Sequence, residues 1–239
     1  MSLQVLAIGN SFSQDATRYL HRIARADGFS LQVFNLYIGG CTLERHFRNS
    51  LSEGKSYLLE VNGEHSGFAV SLKDALLNRK WDIITLQQAS HESIDYQNYQ
   101  PYLTELSAYI KKHAPTAKQA IHQTWAYAQD AEKLTNLGYD DQGKMYQDLK
   151  VAYEAAAKDI NADTMIPSGL LFQNLLKHGI DKLHRDGYHA TMGLGRYALA
   201  LLWYHILTGK DVTKNTFRDF DQPVTEEEIA IIKQCVNDL

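Results

Sequence analysis

Five short apolar segments alternate with helical segments along the chain, and this alternation limits the folds that the sequence can adopt. The apolar segments, which are predicted to be strands, are residues 3–8, 31–38, 81–87, 118–124 and 164–167. Strands that are apolar almost throughout are typical of a parallel sheet that helices cover on both faces. The sequence therefore predicts a three-layer α/β/α sandwich with a five-stranded parallel sheet, built as a single domain over residues 1–239.

Residues 41–80 are predicted to form an excursion between the second and third strands rather than a second domain. Within it, two extended segments at residues 57–61 and 67–70 flank Asn62-Gly63. Asn-Gly pairs favour hairpin turns because both residues tolerate positive φ. A small hairpin is therefore expected in this excursion.

The composition argues against two classes of partner. The chain has 239 residues, of which 44% are hydrophobic, and a formal net charge of -4. It contains no block of basic residues, so nucleic acid is not an expected partner. It contains no run of about 18 apolar residues, so no membrane span is predicted.

The cysteines and the N-terminus leave the cellular compartment open. Cys41 and Cys235 are far apart and have no C-x-x-C spacing, so a zinc ribbon or a redox pair is not supported. Two free thiols are favoured over a single long-range disulfide. Met1-Ser2-Leu3 leads straight into the first strand, as in a cytoplasmic protein, but a periplasmic or secreted protein whose signal peptide has been removed would begin in the same way.

Polar residues and glycines follow the predicted strands at the point where each strand ends. The residues that come after the five strands are, in order, Gly9-Asn10-Ser11, Gly39-Gly40, Gln87-Gln88, Trp125 and Ser168-Gly169. Asp186 and His189 lie in the loop before the apolar helix predicted at 191–208. Because ligands of open parallel sheets bind beyond the carboxyl ends of the strands, these residues are expected to meet in one site.

Ser11, His189 and Asp186 have the functional groups of an acyl-transfer site. A serine hydroxyl is a weak nucleophile unless a base lies beside it, and a histidine base needs a carboxylate to hold its tautomer. The spacing of Asp186 and His189 can let the carboxylate reach Nδ1 while Nε2 points toward Ser11. An oxyanion also needs donors, for which the Ser11 amide, a glycine amide after the second strand and the side-chain amide of Gln87 or Gln88 are candidates.

Each of these features also has an ordinary structural explanation. A serine after a strand is most often a helix N-cap, and Asp-x-x-His can be loop or cap chemistry. Gly39-Gly40 can be a simple turn. Their occurrence together at the same end of one sheet is much less expected by chance, and the catalytic interpretation is favoured for that reason.

The same residues resemble the SGNH (GDSL-type) hydrolase superfamily. The resemblance rests on Gly9-Asn10-Ser11, a glycine after the second strand, a polar amide after the third strand and Asp-x-x-His near the C-terminus. Within the superfamily, a bacterial subgroup, the DUF4886-like set, is similar to five blocks of this chain: IGNSFSQDA, LYIGGCTLERH, WDIITLQQAS, HQTWAY and LHRDGYHATMGLGRYALALLWYHILTG. The resemblance covers nearly the whole chain, and the first and last blocks are its most specific parts.

This resemblance implies a flavodoxin-like SGNH hydrolase fold with a Ser-His-Asp triad. Ser11 would be the nucleophile, His189 the general base and Asp186 the residue that orients it. The backbone amides of Ser11 and of a glycine, Gly40 in preference to Gly39, would form the oxyanion hole.

Two positions depart from the superfamily pattern. The first block usually has aspartate where this chain has Asn10, a residue outside the triad. The third block usually supplies an asparagine to the oxyanion hole, whereas this chain has Gln87-Gln88-Ala89-Ser90. Gln87 resembles the glutamine found there in some carbohydrate acetylesterases, and Gln88 is the alternative.

Asn10, His91 and Trp125 are the predicted pocket residues. His91 and Trp125 follow the third and fourth strands in polar, aromatic segments, and sugar rings pack well on aromatic faces with polar neighbours. A metal site built on His184, Asp186 and His189 would still need a ligand from elsewhere, so no metal is expected. No cofactor is expected either, and the oligomeric state is left open.

The sequence therefore predicts a serine esterase that removes a short acyl group, acetyl in the first place, from a carbohydrate or other small-molecule ester. A lipase or thioesterase of the same superfamily is the alternative among enzymes, although the polar loops give no sign of a channel for a long acyl chain. The missing asparagine favours a third hypothesis, a non-catalytic carbohydrate-binding protein on this scaffold. The layer pattern also allows a flavodoxin-like nucleotide or flavin binder, but the first loop lacks a phosphate-binding run of glycines.

Overall fold

The computed structural model describes residues 2–239, whose strands form a seven-stranded sheet in the order β4-β3-β2-β1-β5-β6-β7. The strands are β1 (Leu3–Gly9), β2 (Leu31–Tyr37), β3 (Tyr57–Val61), β4 (Glu64–Val70), β5 (Ile83–Leu86), β6 (Lys118–Gln123) and β7 (Thr164–Pro167). The strands β2, β1, β5, β6 and β7 run parallel to one another. The strands β3 and β4 form an antiparallel hairpin on the β2 edge.

The five predicted parallel strands are confirmed, but the prediction that they form the whole sheet is wrong. The predicted hairpin does not stand apart, because β3 pairs with β2 from Phe34 opposite Val61 to Tyr37 opposite Leu58. Without the hairpin, β2 would be an edge strand with unpaired backbone groups. The pairing satisfies those groups, and it extends the sheet by two strands on that side.

Helices cover both faces of the sheet, so the three-layer architecture is confirmed. Within residues 2–239 they are α1 (Ser11–Thr17), α2 (Leu20–Ala26), α3 (Leu43–Ser52), α4 (Leu72–Leu77), α5 (Tyr102–His113), α6 (Glu132–Asn136), α7 (Gln142–Asp159), α8 (Ser168–Lys177), α9 (Leu194–Thr208) and α10 (Glu226–Asn237). The helices α1, α2, α8, α9 and α10 pack on one face, and α3, α4, α5 and α7 pack on the other. The short helix α6 lies in the connection after β6.

The central position of β1 places its C-terminal end in the middle of the sheet edge. Residues 5–8 of this strand are fully buried between β2 and β5. On one face, α9 packs against α1 and α2. Residues 197–204 of α9 are all buried, and a helix that the core encloses in this way needs no polar face. No helix within residues 2–239 combines the length and the apolar character needed to cross a bilayer.

Candidate active site

Ser11 lies at the junction of β1 and α1. Asn10 is the N-cap of α1, since its Oδ1 accepts a hydrogen bond from the backbone N–H of Phe12 at 3.0 Å. The capping role belongs to Asn10, so the hydroxyl of Ser11 is free for another partner. Gly9 permits close packing at this junction, because a Cβ at that position would lie 2.5 Å from Oγ of Ser13 and 2.9 Å from Cδ of Gln87.

His189 connects Ser11 to Asp186 through two hydrogen bonds. Its Nε2 lies 2.8 Å from Oγ of Ser11, and its Nδ1 lies 2.7 Å from Oδ2 of Asp186. The other oxygen of Asp186 accepts the backbone N–H groups of His189 at 2.9 Å and of Tyr188 at 3.3 Å. Gly187 completes this turn with a φ of 86°, a left-handed conformation that glycine adopts without steric cost.

The Asp186 carboxylate determines which ring nitrogen of His189 carries the proton. Partial burial raises the pKa of Asp186, but hydrogen bonds from the ring and the backbone N–H of His189 outweigh it, and the pKa lies below its ordinary value. The ionised carboxylate accepts a hydrogen bond from Nδ1–H, which leaves Nε2 of the neutral ring as the acceptor for the Ser11 hydroxyl. In this arrangement a histidine can withdraw the proton of a serine.

Ser11 and Gly40 line the same cavity. Ser11 is the first residue of α1, so its backbone N–H has no acceptor within the helix. Gly40 lies in the turn after β2 with a φ of 62°, and no atom lies within 4 Å of the position that its Cβ would occupy. The two residues can therefore supply the backbone donors that the sequence predicts for an oxyanion.

The side chains of Gln87 and Gln88 do not reach the cavity, contrary to the expectation that one of them is an oxyanion donor. Nε2 of Gln87 donates to Oδ1 of Asn10 at 2.8 Å, and Nε2 of Gln88 donates to the carbonyl of Asn98 at 2.9 Å. Both side chains are buried, and neither residue lines the cavity. Their amides are engaged inside the protein, and residues 89–91 line the cavity instead.

Of the three predicted pocket residues, Asn10 and His91 line the cavity and Trp125 does not. The Trp125 ring is fully buried and stacks on Phe12, with ring centroids 4.3 Å apart. Its Nε1 donates to the carbonyl of Tyr188 at 2.8 Å. The prediction for Trp125 is therefore corrected: the indole does not face the cavity, but it packs against Phe12 and hydrogen-bonds to Tyr188, two residues that line it.

The cavity beside Ser11 has a volume of about 350 Å³. Its lining residues are Asn10, Ser11, Phe12, Gly40, Ala89, Ser90, His91, Tyr127, Lys133, Asn136, Leu137 and Tyr188. The hydroxyls of Ser90 and Tyr127 are 2.9 Å apart, and Nζ of Lys133 lies 3.5 Å from the centroid of the Tyr188 ring. The cavity thus presents hydroxyls, an ammonium group and aromatic faces together.

The sequence analysis did not identify Lys133 and Asn136 as lining residues. Both come after β6, at the sheet edge where ligands are expected. Lys133 and Asn136 are three residues apart in α6, so they share one face of that helix. The rule that selected Trp125 could have found them, had it been extended along the whole connection.

His184 does not join Asp186 and His189 in a metal site. Its Nε2 donates to the carbonyl of Ala126 at 3.0 Å, and burial lowers its pKa to about 4. Among residues 2–239, no group of three or more His, Cys, Asp or Glu side chains is arranged to hold a metal ion. Cys41 and Cys235 are both buried free thiols.

Two fully buried histidines are expected to make the stability of the protein pH-dependent. Burial lowers the pKa of His46 and of His122 to about 3, whereas a histidine in an unfolded chain titrates near pH 6.5, roughly its model-peptide value. The unfolded state therefore takes up these protons first as the pH falls. The stability that the neutral rings contribute is fully present above about pH 6.5 and is lost progressively as the pH falls toward 3.

We expect the free energy of unfolding to be lower by about 2 kcal/mol per histidine at about pH 5 than at about pH 7.5. Urea denaturation followed by circular dichroism at both pH values measures this difference. His184, whose pKa burial lowers to about 4, adds a third contribution of this kind, so His46→Gln should reduce the total loss by about a third. Equal stability at the two pH values would contradict the neutral burial of these rings.

Comparison with known proteins identifies the family. The family model for a domain of unknown function, DUF4886, matches residues 4–238. The solved structure of a DUF4886 family protein from Bacteroides uniformis ATCC 8492 is 35% identical to this chain, with a TM-score of 0.91, and the match covers 100% of this chain and 94% of that one. The comparison with curated proteins gave no match.

More distant solved structures share the fold. A candidate SGNH hydrolase from Slackia heliotrinireducens is 23% identical with a TM-score of 0.64, over 87% of this chain and 100% of that one. The acetylxylan esterase Axe2 from Geobacillus stearothermophilus is 13% identical with a TM-score of 0.51, over 86% of this chain and 92% of that one. The chain therefore belongs to the DUF4886 family, and its fold is that of the SGNH hydrolases.

Proposed function

We propose that this protein is a serine esterase that hydrolyses a short acyl ester, acetyl in the first place, on a carbohydrate. The observation that carries the proposal is the hydrogen-bonded series from Ser11 to His189 to Asp186, with distances of 2.8 and 2.7 Å, at the edge of a cavity lined by both polar and apolar groups. Nucleophile, base and orienting carboxylate are recognised by this geometry rather than by their order in the chain.

The proposed reaction begins with attack of Ser11 Oγ on the ester carbonyl carbon, while Nε2 of His189 takes up the hydroxyl proton. The negative charge that develops on the carbonyl oxygen is stabilised by the backbone N–H groups of Ser11 and Gly40. Collapse of this intermediate breaks the ester bond, and the protonated His189 donates its proton to the departing alcohol. The acyl group is then bonded to Ser11.

Water completes the reaction by the same steps. His189 withdraws a proton from a water molecule, which attacks the acyl carbon and regenerates the Ser11 hydroxyl as the carboxylic acid leaves. Asp186 keeps Nδ1 protonated and stabilises the positive charge that the ring acquires in both halves of the reaction. Each cycle therefore consumes one ester and one water and releases one alcohol and one acid.

The lining of the cavity supports a short acyl group and a polar acceptor. Ser90, Tyr127 and Asn136 offer hydrogen-bonding groups, and the ring of Tyr188 offers an aromatic face. Sugar rings combine hydroxyls with apolar C–H faces, which suits such a surface. The chain also shares its fold with Axe2, a protein described as an acetylxylan esterase.

A series of p-nitrophenyl esters tests the acyl preference. We expect kcat/KM to fall by about tenfold or more from acetate through butyrate to octanoate, since the cavity of about 350 Å³ must also hold the acceptor and a longer chain would lie against its hydroxyl and amide groups. Ser11→Ala measured in parallel gives the background rate for each ester. A preference for octanoate over acetate would replace the proposal with a lipase or thioesterase.

The acceptor is tested by acetate release from acetylated xylooligosaccharides. We expect the wild type to release acetate from these substrates, and Ser11→Ala to release none above background. Binding of the oligosaccharide by both proteins without any acetate release would favour a non-catalytic carbohydrate-binding protein.

A further inference from the structure

Asp15 is a fully buried carboxylate that lies one helical turn after Ser11 in α1. Nη1 of Arg185 lies 3.0 and 2.9 Å from its two oxygens. Nε of Arg196 donates to Oδ1 at 2.8 Å, and the backbone N–H of Ala190 donates to Oδ2 at 3.2 Å. A buried carboxylate is costly unless it is paired and hydrogen-bonded, and these contacts supply both.

The contacts of Asp15 enclose the loop that carries Asp186 and His189. Arg185 directly precedes that loop and Ala190 directly follows it. The backbone N–H of Arg185 donates to the carbonyl of His189 at 2.9 Å, and Nη1 of Arg185 also donates to the carbonyl of Ala190. One carboxylate on α1 therefore holds both ends of the loop.

This arrangement couples the position of the ring to that of the hydroxyl. Ser11 and Asp15 are four residues apart in one helix, so they share a face and move together. The loop ends bonded to Asp15 determine where the His189 ring sits. The distance between Nε2 of His189 and Oγ of Ser11 thus depends on the Asp15 contacts.

We infer that Asp15 is a positioning residue, which holds the Asp186–His189 loop against α1 so that His189 meets Ser11 in reactive geometry. This inference rests on the proposed esterase function. A displacement of about 1 Å in such a pair can lower a rate by about a hundredfold, so a loosened loop should reduce kcat more than it changes KM.

Asp221 provides a matched control. Like Asp15, it accepts a hydrogen bond from Arg196, at 3.0 Å, and it also pairs with Arg18. None of its hydrogen-bond partners belongs to residues 185–190. Asp221→Asn therefore removes a carboxylate from the same ion-pair network without touching the loop.

The first test is the hydrolysis of p-nitrophenyl acetate by the wild type, Asp15→Asn and Asp221→Asn. We expect Asp15→Asn to lower kcat by about tenfold to a hundredfold, with KM within about twofold of the wild-type value. Asp221→Asn should keep kcat within about twofold. Arg185→Gln leaves Asp15 bonded to Arg196 and to the backbone N–H of Ala190 but removes its ion pair with the residue that precedes the loop. It should therefore lower kcat in the same direction even if Asp15→Asn does not fold.

The second readout does not depend on turnover. The Nδ1–H proton of His189, held by Asp186, should give a downfield proton NMR resonance that His189→Ala removes. We expect this resonance to broaden or disappear in Asp15→Asn and Arg185→Gln and to persist in Asp221→Asn. If the wild type is inactive but the resonances follow this pattern, the esterase proposal is overturned and the positioning role is kept. If folded Asp15→Asn or Arg185→Gln shows an unchanged kcat and an unchanged resonance, the positioning role is overturned.

Discussion

Replacement of Ser11 or His189 by alanine is expected to lower kcat/KM for p-nitrophenyl acetate by about a thousandfold or more. Without Oγ no acyl-enzyme can form, and without the ring no group accepts the hydroxyl proton. The two losses should not add in the double variant, because both residues act in the same step. Initial rates under matched conditions measure the effect.

Ser11→Ala is not expected to disrupt the fold. The cap of α1 is Asn10, and Oγ of Ser11 has its hydrogen bond with His189. We therefore expect Ser11→Ala to change the free energy of unfolding by less than about 1 kcal/mol. Ser11→Ala is thus predicted to abolish most of the activity while leaving the free energy of unfolding nearly unchanged.

Ser71 provides a matched control, because it is a serine that does cap a helix. Its side chain accepts the backbone N–H of Asp74 at 3.0 Å at the start of α4. Ser71→Ala should lower stability by about 1 kcal/mol and leave esterase activity unchanged, the reverse of Ser11→Ala. Full activity in Ser11→Ala would remove the catalytic interpretation of this residue.

Asn10→Asp is expected to lower kcat by about tenfold to a hundredfold, although it changes only an amide to a carboxylate. Nδ2 of Asn10 donates to the carbonyl of Cys41 at 3.1 Å, which ties the turn after β1 to the turn that contains Gly40. A carboxylate cannot donate this hydrogen bond and would repel the carbonyl. The two turns that carry the proposed oxyanion donors should therefore separate.

The orientation of the Asn10 amide is enforced from the interior of the protein. Burial lowers the pKa of His122 to about 3, so the ring is neutral. Its Nδ1 donates to Oε1 of Gln87 at 2.7 Å, and its Nε2 accepts from the hydroxyl of Ser168 at 3.1 Å. Nε2 of Gln87 then donates to Oδ1 of Asn10 at 2.8 Å, which directs Nδ2 of Asn10 toward Cys41.

The pH dependence of Asn10→Asp separates this explanation from a general loss of structure. Burial raises the pKa of a carboxyl group, and the protonated carboxyl can again donate to the carbonyl of Cys41. The ratio of the variant's kcat/KM to that of the wild type should therefore rise as the pH is lowered from about 8 to about 6. A ratio that stays constant or falls would contradict the role assigned to the amide.

Asn215 serves as the control for a buried asparagine. Its Nδ2 donates to the carbonyl of Ile23 at 2.9 Å, and its Oδ1 accepts the backbone N–H of Phe217 at 3.1 Å. This pattern matches that of Asn10, but none of these residues lines the cavity. Asn215→Asp should destabilise the protein without lowering kcat.

The parallel strands and the residues at their ends could be predicted because each depends on local pattern and general chemistry. Apolar segments and the parallel-sheet rule place Ser11, Gly40 and the Asp186–His189 loop at one edge. The pairing of the hairpin with β2 could not be predicted in the same way. It depends on which edge of the sheet is left open, and this is a property of the assembled fold.

The direction of long side chains also depends on partners that are distant in sequence. Gln87 turns inward because His122 and Asn10 bind its amide, and Gln88 does so because the carbonyl of Asn98 accepts from it. Trp125 is buried because Phe12 covers its ring. Position after a strand predicts that such residues are near the site, but not that they face it.

Reaction with a fluorophosphonate, followed by intact-mass measurement and peptide mapping, tests the role of Ser11 most directly. In this reaction a nucleophilic Oγ forms a bond to phosphorus as fluoride leaves and His189 takes up the proton. We predict a single adduct on Ser11 in the wild type, none in Ser11→Ala and much slower labelling in His189→Ala. Labelling at another residue, or ester hydrolysis by a wild type that the reagent does not modify at Ser11, would contradict the assignment.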